Sequence, residues 1–104
     1  MLLRTGNFLK TDVLLGLNQD EGSYFVLYGS PGYELTGQSL ISRRDFLEGM
    51  SLAMPGASNI TLEAAVFLYT DWRDENNSTT LRDNLTYVIG DKDFVCPVLD
   101  FISR

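Results

Sequence analysis

The stretch Asp12-Val13-Leu14-Leu15-Gly16-Leu17-Asn18-Gln19-Asp20-Glu21-Gly22-Ser23-Tyr24-Phe25-Val26-Leu27-Tyr28 decides how this chain is read. The run from Val13 to Leu17 is short, apolar and bounded by polar residues, which predicts a fully buried strand of the kind a parallel sheet contains. Two carboxylates and a glycine follow it, and then three aromatics within five residues. Open α/β sheets place their sites just beyond the carboxyl ends of their strands, and Gly22 permits a tight backbone path there. A carboxylate in that position can orient a histidine, yet the chain contains no histidine. Glu21 is therefore either an ordinary solvated loop carboxylate, as most glutamates are, or one part of a larger catalytic unit. The aromatics pose the same choice. Tyr24 and Tyr28 are four apart and share one face of a helical turn with Phe25 beside them. Spacing alone favours core packing, whereas π-faces beside acidic residues are what a quaternary ammonium site requires.

The sequence outside this stretch reads as helical. Gly29-Ser30-Pro31-Gly32 marks a turn. Ser42 followed by Asp45 resembles an acidic capping box, and Phe46, Leu47, Met50, Ala53 and Met54 then fall on one helical face before Pro55-Gly56 stops it. From Ile60 to Tyr69 the chain is apolar almost all round, with only Thr61 and Glu63 as a polar face. This predicts a helix covered on both sides, either within one core or between its own core and another subunit. Residues 71–80 read as a polar loop, residues 81–89 as a short helix ended by Gly90, and Phe94, Val95, Val98, Leu99 and Ile102 as a further amphipathic helix. Pro97 falls in its first turn or kinks it. One buried strand with three or four helices short of partners looks like the middle of an α/β domain, incomplete at both ends of residues 1–104.

Composition narrows the function classes. The 104 residues are 44% hydrophobic and 21% charged, ordinary for one globular unit. The net charge of −6 argues against nucleic acid as a partner and is compatible with steering a cation. No apolar run is long enough to span a bilayer, and the N-terminus does not read as a signal peptide. Without histidine and with one cysteine, no metal site is visible, and no EF-hand spacing, phosphate loop, Gly-x-Ser-x-Gly motif or cofactor fingerprint occurs. Cys96 cannot form an internal disulfide, so it is a lone thiol or half of a pair. Sequons at Asn59, Asn76, Asn77 and Asn84 favour a secreted context.

These residues resemble the cholinesterases, within the carboxylesterase branch of the α/β-hydrolase fold, nearly end to end. Gly6-Asn7-Phe8 with the 12–23 stretch is similar to the strand and turn that deliver the family's triad glutamate. Tyr28-Gly29-Ser30-Pro31-Gly32-Tyr33, Tyr69-Thr70-Asp71-Trp72 and Gly90-Asp91-Lys92-Asp93-Phe94-Val95-Cys96-Pro97 match further family blocks. The resemblance implies an α/β fold fragment with one central-sheet strand. It implies part of a serine esterase that cleaves a small cationic ester, acetylcholine, without a cofactor. It assigns Glu21 to the triad acid, Tyr24 and Phe25 to the choline-site aromatics, and Tyr28 to the peripheral site. Tyr24 favours the acetylcholine-cleaving branch over the butyryl branch. Cys96 matches a cysteine paired further along the chain. The helix that begins at Asn59 and ends at Tyr69 overlaps the family's dimer interface, which implies a homodimer. Location would be extracellular and synaptic, with membrane attachment only through an anchor outside this sequence. Lys92 stands where many relatives carry a non-catalytic histidine. Of the triad only the acid is present, so this segment alone cannot hydrolyse an ester. Two rivals are a cholinesterase-like adhesion domain that lost the chemistry and a carboxylesterase of broader specificity.

Overall fold

A computed structural model describes residues 2–30, 32–33 and 40–103; Pro31 of the expected turn and residues 34–39 lie outside the described residues. Among the described residues five α-helices follow one another: α1 (Ser23–Gly29), α2 (Arg43–Ala53), α3 (Asn59–Leu68), α4 (Ser78–Gly90) and α5 (Cys96–Ile102), with a π-helical segment Asp91–Val95 joining the last two. Among the described residues there is no strand. The expected buried strand at residues 12–17 is instead irregular backbone without ladder partners among the described residues, and Leu14 is 98% exposed. The reason is physical: a strand is stable only when neighbours take up its backbone donors and acceptors and cover its faces. Here the segment rests over the end of α5, where Leu3, Phe8, Val13 and Leu15 share an open cleft with Phe101 and Ile102.

The core is the meeting of α2 and α4, with α1 and α3 added to its sides. α2 starts where expected. Ser42 Oγ accepts the Asp45 N–H at 3.1 Å while Asp45 Oδ2 accepts the Ser42 N–H at 3.2 Å, which completes the capping box. Phe46 and Met50 are fully buried against Leu81, Leu85 and Val88 of α4, together with Ile41 and Val26. Leu47, expected in that stripe, is exposed at its edge, and Ala53 and Met54 are partly buried against the core. The helix ends as the sequence predicts. Gly56 takes φ +78°, and the Ala57 N–H closes a turn on the Met54 carbonyl at 3.2 Å.

Two boundaries differ from expectation. α4 begins three residues early, at Ser78, because Asn77 caps it: its Oδ1 accepts the Thr80 N–H at 3.1 Å. Gly90 is the last residue of α4 but does not stop the helical path. Its backbone is helical, with φ −59°, and the chain continues through the π segment, in which the Cys96 N–H bonds the Asp91 carbonyl five residues back. Pro97 sits at the start of α5. It has no N–H to donate, and its ring crowds the carbonyl four residues earlier, so the wider turn ahead of it relieves that clash. No helix among the described residues is long and apolar enough to cross a membrane.

Candidate functional site

The site residues of the quoted stretch are held by one close backbone crossing. Gly22 is buried at the start of α1, and the side of its Cα where a side chain would stand faces the C-terminal part of α4. A Cβ on Gly22 would stand 2.2 Å from the Thr86 carbonyl oxygen and 2.7 Å from the Gly90 nitrogen; one on Gly90 would meet the Gly22 nitrogen at 3.4 Å. Only glycine at position 22 lets the two backbones approach this closely. Val26, 1% exposed, fixes the same helix one turn later. Gly90 thus closes α4, as the sequence predicts, and is also a positional partner of the site. The pairing of two glycines 68 positions apart leaves no local signal.

Glu21 precedes this crossing in a half-buried turn, where its Oε1 accepts the Asn18 N–H at 2.8 Å. The Ser23 N–H bonds the Asp20 carbonyl at 3.1 Å, which closes the turn. One carboxylate oxygen is thereby committed to the local backbone, and the other has lone pairs for an outside donor.

The aromatics do come together, and they are not core. Tyr24 and Tyr28 are 64% and 62% exposed, and Phe25 is also exposed. Tyr24 meets Phe25 edge-on at 5.4 Å and Tyr28 at 4.8 Å, while Phe25 touches Phe94 of the π segment at 5.7 Å. Spacing alone favoured burial of these rings. The structure instead turns Val26 inward, so the face carrying Tyr24, Phe25 and Tyr28 points out. Phe94 extends the cluster, and sequence reading had placed it only in an amphipathic helix. Among the described residues no Lys or Arg lies over these three rings, whereas Arg43 lies over Phe46 and Trp72 and Lys10 over Phe8. Beside Phe25 a cleft of about 280 Å³ is bounded by Ile89, Lys92 and Asp93. An open set of π-faces that begins three residues after Glu21 can hold a cation.

The remaining candidates are dispersed. Cys96 opens α5 with an exposed, unpaired thiol. Asn59 is exposed in the first turn of α3, Asn76 is exposed in the turn before α4, Asn77 is the α4 cap, and Asn84 is half-buried. α3 buries no residue completely. Ala65, Val66 and Tyr69 pack on the core, while Ile60, Phe67 and Leu68 face outward, Ile60 being 80% exposed. A groove of about 430 Å³ runs between Leu47, Leu62, Val66, Phe67 and Trp72. At the inner side the Tyr69 phenol donates to Asp91 at 2.6 Å, and burial together with this bond pushes its ionisation well above the usual tyrosine range.

Comparison with known proteins places these features in a family. The family model for the Carboxylesterase family matches residues 1–104. The chain is 50% identical to "Acetylcholinesterase" of Danio rerio over 100 residues, 96% of this chain and 16% of that protein. It is 47% identical to "Acetylcholinesterase" of Electrophorus electricus over 96% of this chain and 16% of that one. It is 42% identical to "Cholinesterase" of Mus musculus over 99% of this chain and 17% of that one. The chain thus spans about a sixth of the length of these curated relatives.

Proposed function

The chain belongs to the carboxylesterase family, whose fold is the α/β-hydrolase, and from that premise we propose that it is an internal part of an acetylcholinesterase. Residues 1–104 form one partial hydrolase domain in this reading, with residues 12–17 as a strand of the central sheet once neighbouring strands are present. Glu21 is the triad acid. Its free oxygen accepts the Nδ1–H of the catalytic histidine and stabilises the imidazolium that forms when the serine gives up its proton. Tyr24 and Phe25 hold the trimethylammonium group of acetylcholine on their ring faces, and Tyr28 extends that surface toward the peripheral site. Cys96 pairs with a cysteine outside this sequence. The outward face of α3 joins its counterpart in a homodimer. The protein acts outside the cell, at the synapse, tethered if at all through an anchor beyond these residues. No cofactor is required for this chemistry.

The observation that carries this reading is the exposed Tyr24–Phe25–Tyr28 cluster directly after Glu21, in a chain 50% identical to an enzyme named for acetylcholine. A binding-only adhesion domain has no need of either. The test uses the complete protein and compares hydrolysis of acetylcholine, butyrylcholine and a neutral isosteric ester. We expect acetylcholine to be the preferred substrate. Glu21→Gln should lower kcat at least about a hundredfold with the fold intact, as loss of a triad acid does. Wild-type protein that folds and hydrolyses none of the three esters is an adhesion-type relative. Equal use of the neutral ester indicates broader specificity, and a Glu21→Gln variant with near-normal kcat removes Glu21 from the triad.

A further inference from the structure

We propose that Asn76 is the N-glycan acceptor among the four sequons of this segment. Four asparagines carry the required pattern: Asn59-Ile60-Thr61, Asn76-Asn77-Ser78, Asn77-Ser78-Thr79 and Asn84-Leu85-Thr86. Sequence ranks none of them. The folded structure does, because a glycan is a bulky surface group, and a chain that carries one folds normally only where the side-chain nitrogen points out of the packing.

Asn84 fails that requirement. It is half-buried on α4, and its Nδ2 donates to the Tyr69 carbonyl at 2.9 Å, tying the end of α3 to α4. A sugar on Nδ2 would stand in that joint. Asn77 is exposed, but both ends of its amide are occupied. Oδ1 accepts the Thr80 N–H at 3.1 Å and one Nδ2 proton goes to Asp74 Oδ2 at 3.2 Å, so the amide is held in the α4 cap, where a sugar on Nδ2 would sit. Asn59 lines the apolar groove between α2 and α3 with Leu47, Phe67 and Trp72, where a sugar would lie against apolar side chains. Asn76 is different. It is exposed in the turn between α3 and α4, and among the described residues its side chain has no hydrogen-bond partner. It also lies at the N-terminal end of α4, whereas Gly22 crosses the C-terminal end. Thirteen helical residues separate those ends by roughly 18–20 Å, which leaves the aromatic face clear of the glycan.

The modification is a group transfer. Nδ2 of Asn76 attacks the anomeric carbon of a lipid-pyrophosphate-linked oligosaccharide. The N–C bond forms as the C–O bond to the pyrophosphate breaks, Nδ2 loses one of its two protons, and the lipid pyrophosphate leaves.

The inference rests on the secretory reading given above. The experiment expresses the complete protein in a secretory eukaryotic host and treats it with peptide N-glycosidase in heavy-oxygen water. Peptides are then mapped by mass spectrometry for the labelled aspartate that marks each occupied asparagine. We expect label at position 76 and none at 59, 77 or 84, and label at any of these beside 76 refutes the single-acceptor assignment. Ser78→Ala deletes the Asn76 sequon while leaving those of Asn77 and Asn84, and should remove one glycan from the secreted protein with hydrolysis unchanged. Label at 77 or 84 in place of 76, or a glycosylated protein with position 76 empty, overturns the assignment alone. A protein that carries no glycan and stays inside the cell overturns the assignment and the secretory reading together.

Discussion

Consecutive helices of nearly equal length, α2 and α3 have opposite fates. α2 carries polar residues on one side, and Phe46, Gly49 and Met50 vanish into the core on the other. α3 is richer in apolar residues and buries none of them completely. Apolar content therefore does not tell which helix finds a partner; distribution around the axis does. A stripe is satisfied by one neighbour, and α4 supplies it. A helix apolar all round needs two, and among the described residues α3 has only the core side that Ala65, Val66 and Tyr69 occupy. Residues 13–17 repeat the lesson outside any helix. A large apolar side chain left in water forgoes about 1.5–3 kcal/mol of burial, so these surfaces are the ones for which the proposed complete domain and its dimer partner would provide cover.

The comparison can be broken most forcefully on the α2 side. Phe46→Ala removes the largest fully buried side chain of the core and should cost about 3–5 kcal/mol, read as a fall in the denaturation midpoint of the complete protein. A loss under about 1 kcal/mol would mean that the α2–α4 contact is not the stable centre of this segment. Gly22→Ala comes next. Its new Cβ would meet backbone atoms of Thr86 and Gly90, which cannot rotate away as a side chain tip could. The cost should be near the upper end of the roughly 1–3 kcal/mol usual for overpacking. Because Glu21 precedes this glycine and Tyr24 follows it, kcat for acetylcholine should fall more than stability alone explains. Normal kcat in the folded fraction would show that the crossing holds α1 without setting the site.

How much of this was legible in the sequence depends on the range of the interaction. The start of α2 was legible because a capping box is spelled within four residues, and its end because Pro55-Gly56 is local. The all-round apolar character of α3 was visible for the same reason. The start of α4 was misplaced because Asn77 was read as a sequon and not as a cap. Gly90 marks the end of α4 locally, but its close approach to Gly22 depends on a residue far away along the chain. The same distance hid the orientation of α1. Tyr24, Phe25 and Tyr28 could equally have packed inward, and what turned them outward is Val26 seating against α4. Residues 12–17 show the converse. Their pattern fits a buried strand, but a strand's burial is conferred by neighbours, and none is found among the described residues.

Between the two extremes stands α1, with one buried anchor and three exposed rings, and its prediction is correspondingly smaller. Tyr24→Ala should weaken a quaternary ammonium inhibitor by roughly 0.5–2 kcal/mol while its neutral isostere changes little. Equal losses for both ligands would reduce Tyr24 to a packing residue against Phe25 and Tyr28.

The smallest effect belongs to α3 and is the sharpest form of the contrast. Leu68 ends that helix and is largely exposed. In the complete protein diluted to monomers, Leu68→Ala should change stability by no more than about 0.5 kcal/mol, the usual range for a surface position. Alanine also keeps the helix favourable, so no loss of propensity obscures the result. If the outer face of α3 is a dimer surface, the same substitution should nevertheless raise the dimer dissociation constant, by about five- to tenfold for a loss of roughly 1 kcal/mol at a contact residue. Sedimentation over a concentration series reads the second quantity and denaturation of the dilute monomer the first. A variant that destabilises the monomer strongly would place Leu68 under the rest of its own domain. One that alters neither would leave α3 an exposed apolar helix, and the homodimer proposal would fall.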